Sequence, residues 1–172
     1  KEILPYARDV FYLVNEAYKD LYGVVELTEK QIDAYIKQYF TFVNPDYVRI
    51  ILNQENQMVA FGIALPSLAL AMKKARGRAF PFGILHLLKA LKNNDRLDLM
   101  LVAVKPELQG KGINALLLAD INQAAIKNGV RFAETGPELE DNKDVQGLWK
   151  FYETRQHKKR RCFIKRLSKT GE

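Results

Sequence analysis

Residues 97–118 read Leu97-Asp98-Leu99-Met100-Leu101-Val102-Ala103-Val104-Lys105-Pro106-Glu107-Leu108-Gln109-Gly110-Lys111-Gly112-Ile113-Asn114-Ala115-Leu116-Leu117-Leu118, and their interpretation decides the fold. The apolar run ending at Val104 predicts a strand over 96–104, with Pro106 marking its exit. Leu117, Leu118, Ile121 and Ala125 recur at helical spacing, which predicts a helix over 114–127 with Gly129 at its C-terminal cap position. Between strand and helix lies a turn with glycines at 110 and 112. A helix N-terminus leaves backbone N–H groups unpaired and carries partial positive charge, so a glycine-containing turn that feeds one can wrap a phosphate. The same two glycines also suit any tight strand-to-helix turn. The spacing matches neither a Walker loop nor a three-glycine dinucleotide fingerprint.

Working outward, apolar residues at helical spacing predict a first helix over 5–21, on Val10, Leu13, Val14, Ala17 and Leu21, with Gly23 as its stop. A second helix starts at Thr28, where Gln31 completes a capping box, and Ile32, Tyr35, Ile36 and Tyr39 form its buried stripe. Pro45 closes that element. Residues 47–52 and 57–65 are β-branched or apolar runs separated by Asn53-Gln54-Glu55-Asn56, the pattern of an antiparallel hairpin. Pro66 ends the second run, and Ser67 caps a helical stretch to about Arg76. Gly77 and Pro81 interrupt it before an amphipathic helix over 83–92. Beyond Gly129, a short strand is expected at 130–135, an Asn142-capped helix to about Tyr152, and a terminal strand at 161–167. There is no internal repeat or evident linker. The expectation is one domain over 1–172, with a helical insertion at about 67–92.

A length of 172 residues suits one domain, and 48% apolar with 27% charged residues excludes a disordered, collagen-like or disulfide-stapled chain. The longest nearly uncharged stretch, Met58 to Met72, has 15 residues and a proline, against the roughly 20 needed to span a bilayer. No membrane partner is expected on that ground. Cys162 is the only cysteine; it excludes an intrachain disulfide, and a cytoplasmic location is expected. No signal-peptide pattern opens the chain; Lys1 stands in place of Met, so the true start is missing or was removed, and an upstream region is expected in the full-length protein. The net charge is +7, which first suggests a polyanionic partner. Eight cations lie between Arg155 and Lys169 with no acid among them, however, and the rest of the chain holds 19 cations against 20 acids. The excess belongs to one segment. With no Arg-rich recognition helix or aromatic-interleaved sheet, sequence-specific nucleic-acid binding is disfavoured.

The ordered series Leu99-x-x-Val102-x-Val104-x-Pro106-Glu107-x-Gln109-Gly110-Lys111-Gly112-Ile113 resembles the acetyl-CoA motif of the GNAT superfamily of N-acyltransferases. The order of elements follows that family along nearly the whole chain, although the helical stretch from Ser67 to Lys92 is longer than its usual connection. That stretch, with Glu140-Asp141-Asn142 and the basic final segment, is similar to the C-terminal part of long, uncharacterised bacterial GNAT-like proteins. The resemblance implies an α/β fold, α+β by some schemes: a mixed, mostly antiparallel twisted sheet flanked by helices. It implies an acyl-CoA-dependent N-acyltransferase that uses acetyl-CoA or another acyl-CoA, with a small-molecule or peptide amine as acceptor. The alternative is a catalytically impaired GNAT-like module that binds a ligand or partner.

Carried over residue by residue, the resemblance implies that the backbone of Val102, Ala103 and Val104 pairs with the pantetheine arm. Amides from Gln109, Gly110, Lys111, Gly112, Ile113 and Asn114 would hold the pyrophosphate, and Asn142 would contact the cofactor from the far side. The family has Gly or Ala where Asn114 stands, which implies an altered phosphate contact. Asp98 stands six residues before Val104, where histone-type relatives place a catalytic Glu; it reads either as the base that accepts the amine's proton or as a strand-edge aspartate. Glu134 is an alternative base or an amine-binding anion. Glu138 and Glu140, beside Asp141, read as an acidic rim that favours cationic substrates or as a solvated loop. The tyrosine that often protonates the leaving thiolate is replaced by Trp149, and Tyr152, one turn on, is a substitute acid or a wall aromatic.

No histidine stands at ligand-like spacing from these carboxylates, so no metal is expected. Cys162 reads as buried packing rather than a nucleophile. His86 and His157 lack a Ser or Cys partner for a triad. Lys73, Lys74, Arg76 and Arg78 read as a solvated helix face or, alternatively, as partners of the cofactor's 3′-phosphate.

Overall fold

The computed structural model describes residues 3–40 and 43–165, in two compact units, Lys1–Gly136 and Pro137–Glu172. In the first, Pro5 lies in a 3-10 turn, Leu4–Tyr6, that leads into α1, Ala7–Tyr18. Val10, Phe11 and Leu13 of α1 are buried. Gly23 has φ 78° in the turn that follows. In α2, Glu29–Tyr39, Gln31 Oε1 accepts hydrogen bonds from both the N–H and the hydroxyl of Thr28, each 2.9 Å long. Only Ile32 of the expected α2 stripe is fully buried, whereas Tyr39 is exposed and its ring lies tilted against Tyr35 at 5.9 Å.

The strands β1, Val48–Leu52, and β2, Met58–Pro66, form the expected antiparallel hairpin. Asn53 Oδ1 accepts from the N–H groups of Glu55 and Gln57, the local bonding that makes Asn a turn residue. β2 is buried on both faces: Phe61 and Ile63 meet Val10 and Leu13 of α1, and Ala60 and Ala64 face the opposite side. Ser67 does not cap the next helix. Its N–H instead donates to the Arg96 carbonyl (2.9 Å) and its own carbonyl accepts from Asn94 Nδ2 (2.5 Å), so Ser67 prolongs the sheet pairing. Leu68 takes the cap position of α3, Ala69–Lys74, which is followed by α4, Gly83–Lys92.

β3, Arg96–Val104, has the bounds that the sequence predicts, and α5, Ile113–Lys127, starts one residue earlier than expected. Leu117, Leu118, Ile121 and Ala125 of α5 are buried. Gly62 of β2 permits this contact, since a Cβ there would lie 3.0 Å from Ile121 Cδ1. β4, Phe132–Thr135, completes the sheet. The order is β1-β2-β3-β4, with β1/β2 and β2/β3 antiparallel and β3/β4 parallel. α1 covers one face and α5 the other.

The second unit contains α6, Lys143–Gly147, and a 3-10 turn, Leu148–Phe151. Asn142 caps α6 by accepting from the Val145 N–H at 3.3 Å. The expected terminal strand is absent over 161–165, where no sheet partner is met, and residues 166 and 167 lie outside the described residues. Cys162 is exposed there, contrary to the buried role expected of it.

Candidate active site

The site begins with the pairing of β3. In its first half the strand faces β4 in parallel register, with Asp98 opposite Glu134 and Leu99 opposite Thr135. β4 ends at Thr135, so the β3 edge beyond Leu99 has no strand beside it among the described residues. On the other side β2 remains paired, but Ile63 faces Leu101 while Ala64 faces Leu99, so Met100 is an extra residue, a β-bulge.

The bulge sets which backbone groups face the open edge. The Lys105 N–H donates to the Val59 carbonyl at 2.9 Å, so the two-residue alternation of an antiparallel pair turns Leu101 and Ala103 toward β2. The N–H and C=O of Val102 and Val104 therefore point to the open edge. Two side chains already meet those carbonyls: Tyr18 Oη donates to Val102 O at 2.7 Å and Gln109 Nε2 to Val104 O at 3.1 Å. Burial raises the Tyr18 phenol above its ordinary value, which keeps it a donor. Sequence reading missed Tyr18; its signal is an aromatic hydroxyl next to Ala17 on the margin of the apolar face of α1.

After Val104 the chain turns through a 3-10 segment, Pro106–Leu108, into the glycine loop. Gly110 and Gly112 have φ of 72° and 83°, values a side chain strains to adopt, and nothing lies within 4 Å of where their Cβ atoms would be. Gly112 is the N-cap of α5, and its carbonyl receives the Leu116 N–H. The N–H groups of Ile113, Asn114 and Ala115 thus belong to the unpaired first turn of a 15-residue helix. The open edge, the uncrowded left-handed loop and this helix end fit an extended thiol arm followed by a pyrophosphate. Asn114 fits less well, because its Oδ1 is buried without a hydrogen-bond partner and is an acceptor where a phosphate also needs donors.

Asp98 and Glu134 are brought together. Residues opposite one another in a parallel ladder project to the same face, with strands about 4.8 Å apart. Leu65, the antiparallel partner of Asp98, packs in the α1-side cluster, so both carboxylates belong to that face. Both are half-buried. The remaining expected residues lie in the second unit. Glu138 accepts from the Trp149 indole N–H at 2.8 Å. Glu140 accepts from Lys159 at 2.7 Å, and this ammonium holds its carboxyl below the usual value. Tyr152 packs edge-on against Trp149 at 6.0 Å. Asn142 Oδ1 is committed to the α6 cap.

This arrangement is the fold of the GNAT acetyltransferases: a mixed, mostly antiparallel sheet flanked by helices, with a parallel pair of strands at one end. Among solved structures, the chain is similar to the ribosomal-protein-alanine N-acetyltransferase from Brucella melitensis biovar Abortus 2308, with TM-score 0.55 and 12% identity over 94% of each chain. It is similar to the aminoglycoside acetyltransferase meta-AAC0020 from an uncultured soil metagenomic sample, in complex with sisomicin, with TM-score 0.55 and 12% identity over 95% of this chain and 90% of that one. It also resembles Chaetomium thermophilum Naa20 in complex with a bisubstrate analogue, with TM-score 0.51 and 13% identity over 81% of this chain and 64% of that one. No protein-family model and no curated protein sequence matches the chain.

Proposed function

We propose that the chain is an acyl-CoA-dependent N-acyltransferase that moves an acyl group, acetyl in the simplest case, from the CoA thioester to an amine. The observation that carries this reading is the single path from the open β3 edge at Val102 and Val104 through the left-handed glycine loop to the N-terminus of α5. The names of the structural neighbours, acetyltransferases for a ribosomal protein and for an aminoglycoside, support an amine acceptor, small or peptide. A single cysteine fits a cytoplasmic setting.

In this reading the backbone of Val102, Ala103 and Val104 would pair with the pantetheine arm, the Val102 N–H being free to donate to an amide carbonyl there. Tyr18, bonded to the carbonyl of Val102, is a positioning residue that holds the adjoining Val102–Ala103 peptide. Backbone N–H groups from Gln109 to Asn114 and the positive end of α5 would hold the pyrophosphate. The bound CoA thioester supplies an activated acyl carbonyl. An amine must be neutral to attack it, and the adjacent carboxylates of Asp98 and Glu134 attract the protonated amine and accept its proton, directly or through water. No acid is indispensable for the departing sulfur, since a thiolate is already a fair leaving group.

Calorimetric titration with acetyl-CoA and longer acyl-CoAs tests the first half of this reading. Absence of heat at roughly millimolar ligand, where even a binding energy of about −4 kcal/mol registers, refutes it. Amine-dependent thiol release tests the second half. Binding without release identifies a non-catalytic ligand-binding module.

A further inference from the structure

The insertion between β2 and β3 has a composition unlike the rest of the chain. From Ser67 to Asn94 there are six Lys or Arg residues and no Asp or Glu. The sequence predicts an amphipathic helix over 83–92, and the structure covers only part of its apolar surface, with Leu87, Ala90 and Leu91 half-buried. Leu85 and Leu88 of α4 are 61% and 53% exposed, Leu70 and Met72 of α3 are 52% and 53% exposed, and Phe80 and Phe82, at the tip between the helices, reach 80% and 71%. The hairpin itself is tight. Ile84 N–H donates to the Ala79 carbonyl at 2.6 Å, and a Cβ on Gly83 would collide with the Arg78 carbonyl at 1.8 Å.

The cations are exposed beside these apolar groups: Lys73, Lys74, Arg76 and Arg78 at the end of α3 and in the turn after it, and Lys89 and Lys92 in the last turn of α4. Large exposed apolar patches are uncommon on water-facing surfaces and mark contacts. A patch rimmed by cations alone selects a partner that is apolar within and anionic at its boundary, which describes a bilayer with acidic headgroups. We infer that the α3–α4 hairpin is a membrane-docking element that inserts Phe80 and Phe82 between the headgroups of an anionic lipid surface while its lysines and arginines meet the phosphates. No helix among the described residues is long and apolar enough to cross a membrane. The sequence-based expectation of no membrane partner rested on the lack of a span, and peripheral docking needs none. The hairpin leaves the sheet at Pro66, opposite Leu97, so docking brings the Asp98 end of β3 toward the lipid surface. The docking itself does not depend on acyl transfer.

Flotation of the full chain with phosphatidylcholine vesicles, with and without phosphatidylglycerol, tests the inference. Binding is expected only with the anionic lipid and falls as salt rises. Phe80→Ser with Phe82→Ser should weaken it about tenfold or more, and Lys89→Gln with Lys92→Gln about fivefold per cation. Both pairs are exposed, and unchanged circular dichroism verifies folding. The basic segment gives the decisive control: Arg160→Gln, Arg161→Gln and Lys165→Gln should leave most binding intact. The inference is overturned by absence of flotation, by equal binding to neutral vesicles, by indifference to the phenylalanine changes, or by loss confined to the control variant. Self-association abolished by Phe80→Ser and Phe82→Ser, without vesicle binding, would assign the patch to a second copy of the chain and also overturn it.

Discussion

Asn114→Ala should stabilise the protein, although it removes a polar side chain from the loop that the GNAT resemblance assigns to the cofactor. Asn114 is the second residue of α5, with Gly112 as N-cap, and its Oδ1 is buried with no partner. An unsatisfied buried acceptor costs about 1–3 kcal/mol. Alanine removes that cost and keeps the Cβ. It is also the better helix former, by about 0.5 kcal/mol, only part of which applies in a first turn. Against these gains stand the dispersion contacts of the lost amide, leaving a net stabilisation of about 1–2 kcal/mol. For a chain of this size each kcal/mol moves Tm by about 2–4 °C, so a rise of roughly 2–8 °C is expected. Urea denaturation should show a higher midpoint at unchanged slope, the sign of a stability change without altered compactness. Acetyl-CoA affinity should hold or tighten, because the negative end of the side-chain dipole no longer stands beside the helix N-terminus. A loss of stability on Asn114→Ala would refute the reasoning, since it would mean that Oδ1 has a partner in solution.

Tyr18→Phe should cost about 0.5–1.5 kcal/mol at neutral pH, the net worth of one hydrogen bond. Its pH dependence has a defined sign. Burial raises the folded-state pKa above the ordinary 10.0, so the wild type keeps its full stability below that value and loses it as pH rises through the folded-state pKa. The Phe variant has no such loss, and the stability gap between the two should close in alkali when measured by denaturation at neutral and alkaline pH; a constant gap would contradict burial of the phenol. In acyl-transfer assays Tyr18→Phe should raise KM for acyl-CoA more than it lowers kcat. Asp98→Asn and Glu134→Gln, assayed by thiol release, should identify the base by a loss of about 10²–10⁴ in kcat for one of them at unchanged cofactor affinity. Equal rates in both variants would remove the carboxylate pair from catalysis.

The elements most legible in the sequence were those whose ends are chemically marked. Pro106 and the glycines bracket the junction of β3 and α5, and Thr28 with Gln31 starts α2. What failed were inferences in which one local signal had to outweigh a tertiary alternative. Ser67 is a good capping residue, but the Arg96 carbonyl across the sheet takes its N–H. Residues 161–165 are apolar and β-prone in part, yet a strand requires a neighbour, which no local pattern encodes. In the candidate site, the loop at Gly110 and Gly112 was readable because its backbone geometry demands glycine. The pairing of Asp98 with Glu134 was only partly readable, since register between strands 36 residues apart depends on the whole sheet. The position of Tyr18 at the margin of α1 was legible but its partner was not, because the bond joins residues 84 apart in the chain.

The bulge at Met100 explains how one strand carries both a carboxylate on its α1 face and an open backbone edge. Strict alternation would place Asp98 and Val104, six residues apart, on the same face of the sheet. Val104 is buried against Leu117 of α5, so an unbulged strand would drive Asp98 under the same helix, into the contact of Leu97 and Leu99 with Ile121 and Ala125. A carboxylate there would lose its hydration without gaining a counter-charge, at a cost of several kcal/mol. One inserted residue resolves the conflict. Leu97 and Leu99 face α5 before the bulge and Val102 and Val104 after it, while Asp98 falls on the α1 side beside Glu134. The same insertion turns the backbone of Val102 and Val104 to the edge that β4 leaves open. The carboxylate pair and the open edge are therefore two consequences of one local defect in pairing, and neither can be moved along the strand without the other.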